Sequence, residues 1–128
     1  MTIRSELDTI TARQFAKREA ERMGFRSAKT YRLATAVSEL ANNLRFHAYP
    51  GGTIRIVGVT DGGRIGIEII SEDQGPGIPD MDLAMQDGYS TNKGLGAGLP
   101  GARRLMDEFE IESRVGVGTR IVARMWRP

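Results

Sequence analysis

Two glycine-rich runs and the acidic residue that opens the first of them are the residues best suited to chemistry. Asp73 follows an isoleucine-rich segment and begins a Gly-Pro-Gly turn. A carboxylate at that point can accept a hydrogen bond from an amine or a ring N–H group. The second run extends from Gly94 to Leu99 and leads into a predicted helix. Backbone N–H groups in such a run can cradle phosphates, so the two runs together predict a nucleotide site.

A carboxylate and an amide form a third candidate group upstream. Glu39 and Asn43 are four residues apart on a predicted helix and therefore share a face. Their oxygens can coordinate a hard cation such as Mg²⁺, or position a water or a hydroxyl. Taken alone, the pair also fits an ordinary solvated helix face.

The second glycine run does not match the familiar phosphate-binding motifs. No Gly-Lys-Ser/Thr follows it, which excludes a Walker A loop, and no strand directly precedes it, which excludes a Rossmann turn. Taken alone, it is also consistent with a flexible loop.

Two helices precede the first run. Asp8 is a suitable N-cap for a helix that ends at Met23, and Gly24 is a suitable stop signal. Ser27 begins a second predicted helix, which carries Glu39 and Asn43. Its apolar positions recur every three or four residues and predict a core face that comprises Leu33, Val37, Leu40, Leu44 and Ala48.

The position of Asp73 follows from strand periodicity. Segments 53–60 and 64–71 are rich in Ile and Val, and the Asp-Gly-Gly sequence between them predicts a hairpin. Ile65, Ile67 and Ile69 share one face, and a period of two carries that face on to Asp73. Asp73 should therefore point to the covered side of the sheet, where an unpaired carboxylate is costly and a purine amine could supply a donor.

The remaining segments complete the predicted fold. We read 81–93 as a mobile loop that could cover the site, Pro100 as the first turn of a third helix, and 109–126 as a final hairpin. The order of elements predicts an α/β two-layer sandwich, in which three helices cover one face of a largely antiparallel mixed sheet.

Composition narrows the functional classes. The 128 residues fit a single domain, 1–128, and are 40% hydrophobic with a net charge of +2. The basic residues are spread along the chain and do not form the patch that nucleic acid requires. Cysteine is absent, and no apolar run approaches the roughly 18 residues of a membrane span. We expect a cytoplasmic protein that binds neither nucleic acid nor membrane.

The motifs in order are more specific than any one of them. The chain has Glu-x-x-x-Asn on a helix, Asp-x-Gly-x-Gly after a strand, Gly-x-Gly-x-Gly before a helix, and Gly118-Thr119 at the start of a last strand. Over residues 30–125 this order resembles the GHKL (Bergerat) ATP-binding fold of gyrase, Hsp90, histidine kinases and MutL-type ATPases. Because the chain is short, it looks most like the serine/threonine kinases of bacterial partner-switching modules.

Two branches of these kinases differ in role. One contains the anti-sigma-factor kinases of the SpoIIAB and RsbW types, and the other the stressosome switch kinases of the RsbT type. The run from Gly98 to Gly101, which reads Gly-Leu-Pro-Gly, and the short loop before it are more similar to the second branch.

The resemblance implies that the chain binds ATP with Mg²⁺ and gives each motif a role. Glu39 would be the catalytic base, and Asn43 the Mg²⁺ ligand. Asp73, helped by Thr119, would bind the adenine amino group. The other nucleotide contacts implied by the resemblance are Gly75, Gly77, Ile78, Lys93, Gly94, Leu95, Gly96, Ala97, Gly98 and Leu99.

The resemblance also implies partners. The substrates would be STAS-domain proteins, phosphorylated on serine or threonine, and the released kinase would then activate a downstream phosphatase or another effector. The first alternative is an anti-sigma factor that binds a sigma factor and phosphorylates its antagonist. Others are an ATP-binding module without transfer activity and a catalytic fragment of a histidine kinase.

Overall fold

The computed structural model describes residues 1–47, 51–78, 85 and 98–127. Of the predicted loop over 81–93, all but residue 85 lies outside the described residues. The predicted strand limits of the first hairpin, and the predicted range of the second hairpin as a whole, agree with the structure to within two residues. The described helices and strands, in chain order, are β1 (Thr2–Ile3), α1 (Glu6–Arg22), α2 (Ser27–His47), β2 (Gly52–Asp61), β3 (Arg64–Asp73), α3 (Gly98–Leu105), β4 (Glu108–Arg114) and β5 (Gly118–Trp126).

Helix α1 begins earlier than the sequence predicted. Ser5 is the N-cap: its Oγ accepts the Asp8 N–H at 3.3 Å, while Asp8 Oδ2 accepts the Ser5 N–H at 3.1 Å. This reciprocal pair is a capping box, in which the acidic residue stands three positions inside the helix. The prediction of Asp8 as the N-cap is therefore wrong.

Helix α2 supplies the centre of the core. Leu33, Val37 and Leu40 have no exposed surface and Leu44 has 1%, which confirms the predicted apolar face, while Ala48 lies outside the described residues. In the described part of the chain, no helix is both long and apolar enough to cross a membrane.

The sheet is antiparallel in every described pairing. Its five strands lie in the order β1-β2-β3-β5-β4, and the β2–β3 pair is closed by a tight turn. Gly62 and Gly63 have φ values of 57° and 85°, the left-handed geometry that a two-residue hairpin turn requires. Placing β5 between β3 and β4 brings the start of the last strand beside the end of β3.

All three described helices pack on one face of this sheet, which confirms the two-layer α/β sandwich. Apolar residues of α1, α2 and α3 share one core with Ile54, Ile67, Ile69 and Ile121. The covered face of β3 continues through Ser71, 2% exposed, to Asp73, 8% exposed. The predicted inward direction of Asp73 is thus confirmed.

The opposite face of the sheet is held together by paired side chains. Arg124 Nε lies 2.6 Å from Glu68 Oε2, and Arg124 Nη1 lies 2.9 Å from Glu108 Oε1. The indole N–H of Trp126 donates to the second oxygen of Glu108 at 2.5 Å. These contacts tie β3, β4 and β5 together toward the end of the sheet that lies away from Asp73.

Candidate functional site

A cleft of about 590 Å³ lies where β3 ends and β5 begins. This volume is in the range of small-molecule sites, which run from about 300 to 1,000 Å³. Its walls come from the end of β3 and from the β4–β5 hairpin. The residues that line it include Asp73, Ser113, Gly118 and Thr119.

Asp73 is the buried polar group at this cleft. Its Oδ1 accepts the N–H of Gly75 at 2.8 Å, a local bond that shapes the turn. No described residue donates a hydrogen bond to the other oxygen, Oδ2. Because Asp73 lines the cleft and a carboxylate oxygen is a strong acceptor, the site suits a ligand that brings its own donor.

The Gly-Pro-Gly turn lies directly on the β4–β5 hairpin. The Pro76 carbonyl accepts the Gly116 N–H at 2.9 Å. Gly77 has φ +79°, and a Cβ there would overlap the backbone carbonyl of Arg114. Only glycine combines that backbone conformation with so close an approach, so the second glycine of the turn serves packing at the edge of the cleft.

Thr119 stands beside Asp73 across the β3–β5 pair, because the two residues are direct partners in the sheet. Its side chain is 7% exposed. Gly118 has φ +142°, and a Cβ there would run into the Asp73 carbonyl. The close contact of these two strands therefore brings a hydroxyl and a carboxylate to one end of the cleft.

Ser113 is a residue of this site that the sequence reasoning missed. Its Oγ accepts the N–H of Ile78 at 2.7 Å and lies 2.8 Å from Thr119 Oγ1. Sequence alone did not identify it, because Ser113 becomes the strand partner of Thr119 only in the observed register, in which the turn covers 115–117. Ser113 thus joins the turn after Asp73 to the last strand.

Glu39 joins α2 to the start of α3. Its Oε2 accepts the N–H of Gly98 at 2.9 Å, and so a carboxylate stands at the positive end of α3. Burial raises the pKa of the Glu39 carboxyl above its usual range, and the Gly98 hydrogen bond opposes that rise. A raised pKa suits a group that must take up a proton.

Asn43 lies one turn after Glu39 on α2 and is half-buried. Its neighbour Leu44 connects this part of the helix to Asp73. A Cβ on Gly52 would come 2.8 Å from Leu44 Cδ2 and 3.0 Å from Asp73 Cβ. This turn of α2 and the end of β3 therefore meet around Gly52.

Not every predicted site residue can be placed. Gly98 and Leu99 begin α3, with Gly98 at φ +49° and Leu99 buried. Five predicted nucleotide contacts lie outside the described residues: Lys93, Gly94, Leu95, Gly96 and Ala97.

The described residues do not form a metal cage of acidic or histidine side chains. Within residues 1–47, 51–78, 85 and 98–127, no group of three or more His, Asp or Glu side chains could hold an ion. Mg²⁺ often takes only one or two protein ligands and fills its remaining positions with phosphate oxygens and waters. The amide of Asn43 fits that arrangement, whereas a protein cage of carboxylates does not exist in the described part.

Comparison with protein families gives a match over nearly the whole chain. The model described as "Histidine kinase-like ATPase domain" matches residues 3–125. The match includes both glycine runs and the strands that form the cleft.

Curated relatives fall in two groups. The chain is 50% identical over 124 residues to the serine/threonine-protein kinase RsbT of Bacillus subtilis (strain 168), covering 97% of this chain and 92% of that protein. It is 39% identical over 92 residues to the anti-sigma F factor of Thermoanaerobacter sp. (strain X514), covering 68% of this chain and 63% of that protein.

Solved structures share the fold. The mycobacterial sensor histidine kinase MprB matches with a TM-score of 0.58 at 23% identity, covering 77% of this chain and 73% of that one. The catalytic domain of histidine kinase ThkA matches with a TM-score of 0.55 at 18% identity, covering 77% of this chain and 68% of that one.

Proposed function

The chain belongs to the histidine kinase-like ATPase domain family and is a serine/threonine-protein kinase, and on that premise we propose that it works in a bacterial partner-switching module. It would transfer the γ-phosphate of ATP to a serine or threonine of a STAS-domain protein. The likeness to RsbT over nearly the full length of both chains supports this proposal.

The observation that carries the nucleotide assignment is the open carboxylate of Asp73. One oxygen is bonded to Gly75, and the other has no donor among the described residues. The exocyclic amine of adenine is a donor of the right kind. In the proposal Asp73 accepts from that amine, and Thr119 contacts the ring beside it. Gly77 lets the turn and the hairpin lie close enough together to build the pocket wall, and Ile78, the next residue, would also contact the nucleotide.

Glu39 has the chemistry of the proposed base. Its carboxylate would take the proton of the substrate hydroxyl while that oxygen attacks the γ-phosphorus and the bond to the leaving ADP oxygen breaks. Burial raises its pKa, which strengthens it as a proton acceptor. Bound Mg²⁺, held by Asn43 together with phosphate oxygens, would supply charge neutralisation on the phosphates.

The second glycine run would hold the phosphates. Gly98 already offers its N–H to a carboxylate oxygen at 2.9 Å, which supports the start of α3 as a place for an anion. Gly94, Gly96 and Lys93 would act with it, the lysine as a γ-phosphate contact. These roles stay predictions that rest on the sequence.

The proposed partners follow from the likeness to the switch-kinase branch of the family. Once the STAS-domain substrate is phosphorylated, it would release the kinase. The free kinase would then bind and activate a phosphatase or a similar effector. In this proposal the kinase and its partners would work in the cytoplasm.

The likeness to anti-sigma F factors supports a second candidate. In that reading the chain would bind a sigma factor and direct its kinase activity at an antagonist protein. Oligomeric state separates the two readings, because we expect a stable dimer of an anti-sigma kinase and a monomer of a switch kinase.

The test is a phosphotransfer assay with γ-labelled ATP, Mg²⁺ and a STAS-domain protein from the same genome. We expect label on a serine or threonine of the STAS protein. Capture of a sigma factor, with no label on the STAS protein, would replace the switch-kinase reading with the anti-sigma one.

A further inference from the structure

Helix α3 has no capping side chain of its own. Its first turn reads Gly-Leu-Pro-Gly and contains no acidic residue, and the residue before it in the sequence, Ala97, has no side-chain acceptor. The N–H groups at the start of an α-helix have no partner within the helix and need an acceptor from elsewhere. For Gly98 that acceptor comes from the neighbouring helix α2, where Glu39 Oε2 lies 2.9 Å from the Gly98 nitrogen.

The Gly98 N–H is also one of the donors assigned to the phosphates of ATP in the proposed function. It carries a single proton, so a carboxylate and a phosphate could share it only by lying side by side. Two negative groups at that distance repel each other. The carboxylate and the phosphate therefore compete for one donor.

The start of α3 has room for an exchange of acceptors. Apart from the start of α3 itself, no described heavy atom lies within 4 Å of the position that a Cβ on Gly98 would occupy. The Glu39 side chain reaches this point from α2 and is only half-buried. It can therefore leave Gly98 without unpacking the core.

The bond to Gly98 also affects the chemistry of Glu39. Burial raises the pKa of the Glu39 carboxyl, whereas the Gly98 N–H stabilises the charged carboxylate and opposes that rise. A carboxylate held in this bond is a weaker proton acceptor than the same carboxylate without it. Loss of the bond also leaves Oε2 available to the hydroxyl of a substrate.

We propose that the hydrogen bond between Glu39 and Gly98 is an autoinhibitory contact, which a phosphate oxygen of ATP replaces. While the contact is closed, the carboxylate caps α3 and is withheld from the substrate. When the phosphate takes the Gly98 N–H, the carboxylate is released, so the base is available only when the phosphoryl donor is bound. The inference rests on the proposed roles of Glu39 as the base and of Gly98 in phosphate binding.

The experiment measures the affinities of Glu39→Ala and Glu39→Gln for ATP. The glutamine keeps an oxygen that can accept from Gly98, whereas the alanine has none. If ATP must break this bond in order to bind, the alanine variant has no bond to break. We therefore expect it to bind ATP about fivefold more tightly than the glutamine variant, the size of one neutral hydrogen bond. Adenosine has no phosphate to compete for Gly98, so both variants should bind it equally.

Glu21→Ala and Glu21→Gln are the matched controls. Glu21 is exposed on α1, and its side chain has no hydrogen bond or ion pair with a described residue. These two variants should bind ATP equally. Thermal midpoints establish that each variant is folded, and Glu39→Ser, whose side chain is too short to reach Gly98, takes the place of an alanine variant that unfolds.

The outcomes are distinct. If Glu39→Ala binds ATP no more tightly than Glu39→Gln, the contact persists in the ATP complex and the autoinhibitory role is overturned. The same ratio of affinities for adenosine as for ATP would also overturn it, because the phosphates would then have no part in the effect. If the wild type binds neither ligand, the proposed function fails and the inference fails with it.

Discussion

The Glu39 carboxylate has two tasks that substitution can separate. Its Oε2 accepts the Gly98 N–H at 2.9 Å and so holds the start of α3 against α2. As the proposed base it must also take a proton. A side-chain amide has an oxygen for the first task and no capacity for the second.

We therefore expect Glu39→Gln to bind ATP about as tightly as the wild type and to transfer phosphate at least about a hundredfold more slowly, the lower end of a general base's contribution. Glu39→Ala should be equally inactive, and less stable by about 1 kcal/mol through loss of the bond to Gly98. Single-turnover transfer rates and urea unfolding measure the two effects. Transfer at the wild-type rate by the glutamine variant would remove Glu39 from the mechanism.

The raised pKa of Glu39 predicts the pH dependence of transfer. The base works only when charged, so the rate should fall as the pH is lowered through this pKa. Because burial raises the pKa of Glu39, the rate should fall at a pH above the usual pKa of a glutamate, which is about 4.3. A profile of kcat against pH at saturating ATP measures it, and a midpoint at or below the ordinary value would contradict the assignment.

The raised pKa of Glu39 also makes the folding stability depend on pH, and the direction of the shift gives the sign of that dependence. A carboxyl whose pKa is higher in the folded state binds its proton more tightly there. Its contribution to stability is present below the unfolded pKa and is lost as the pH rises through the folded one. Glu39→Gln should lack this component of the pH dependence, which urea unfolding at several pH values would detect.

Two outcomes at the residue scale show where sequence reasoning succeeds and fails. The direction of Asp73 follows from a period of two, because β3 stays regular to its last residue. The N-cap of α1 is harder to predict from sequence, because Ser5 and Asp8 are both good capping residues. The reciprocal pair of hydrogen bonds between them makes Ser5 the N-cap.

At the scale of elements, the turn after β3 depends on the β4–β5 hairpin beneath it. Gly77 meets the backbone of Arg114, and Pro76 bonds to Gly116. The glycine spacing predicts a turn from sequence alone. The contact between this turn and the β4–β5 hairpin could not be predicted, because it joins segments more than 35 residues apart.

This packing makes Gly77→Ala more harmful than an alanine at another left-handed glycine. Gly63, in the β2–β3 turn, has φ +85° and no heavy atom within 4 Å of a Cβ. Gly63→Ala should cost about 1–2 kcal/mol, the penalty of the backbone conformation. Gly77→Ala has φ +79° and the same penalty, and in addition must displace the hairpin.

We expect Gly77→Ala to lose more stability than Gly63→Ala and to weaken ATP binding by at least about tenfold, because the displaced hairpin carries Ser113 and leads into Thr119. Urea unfolding and nucleotide titration of the two variants provide the comparison. Equal losses of stability, with unchanged ATP affinity, would show that the turn does not shape the cleft.

At the scale of the whole molecule, the site is assembled from parts that lie far apart in the chain. Asp73 and Thr119 meet because β5 pairs with β3 and separates it from β4. Glu39 and Gly98 meet because α2 and α3 lie side by side on the covered face. The order of motifs was enough to predict the family and the layers. The strand order and register could not be predicted, and for that reason Ser113 was missed.

In the proposed function, the cleft at the end of β3 binds ATP through Asp73. The most direct measurement is a calorimetric titration of Asp73→Asn with ATP and Mg²⁺. The matched control is Asp61→Asn, which makes the same chemical change at an exposed carboxylate in the β2–β3 turn.

We expect Asp61→Asn to bind ATP like the wild type and Asp73→Asn to lose about thirtyfold or more in affinity, the effect of removing a charged acceptor worth about 2 kcal/mol. Circular dichroism should show both variants folded. A folded Asp73→Asn variant that binds ATP with wild-type affinity would contradict the account, because the buried carboxylate would then have no part in recognising the base.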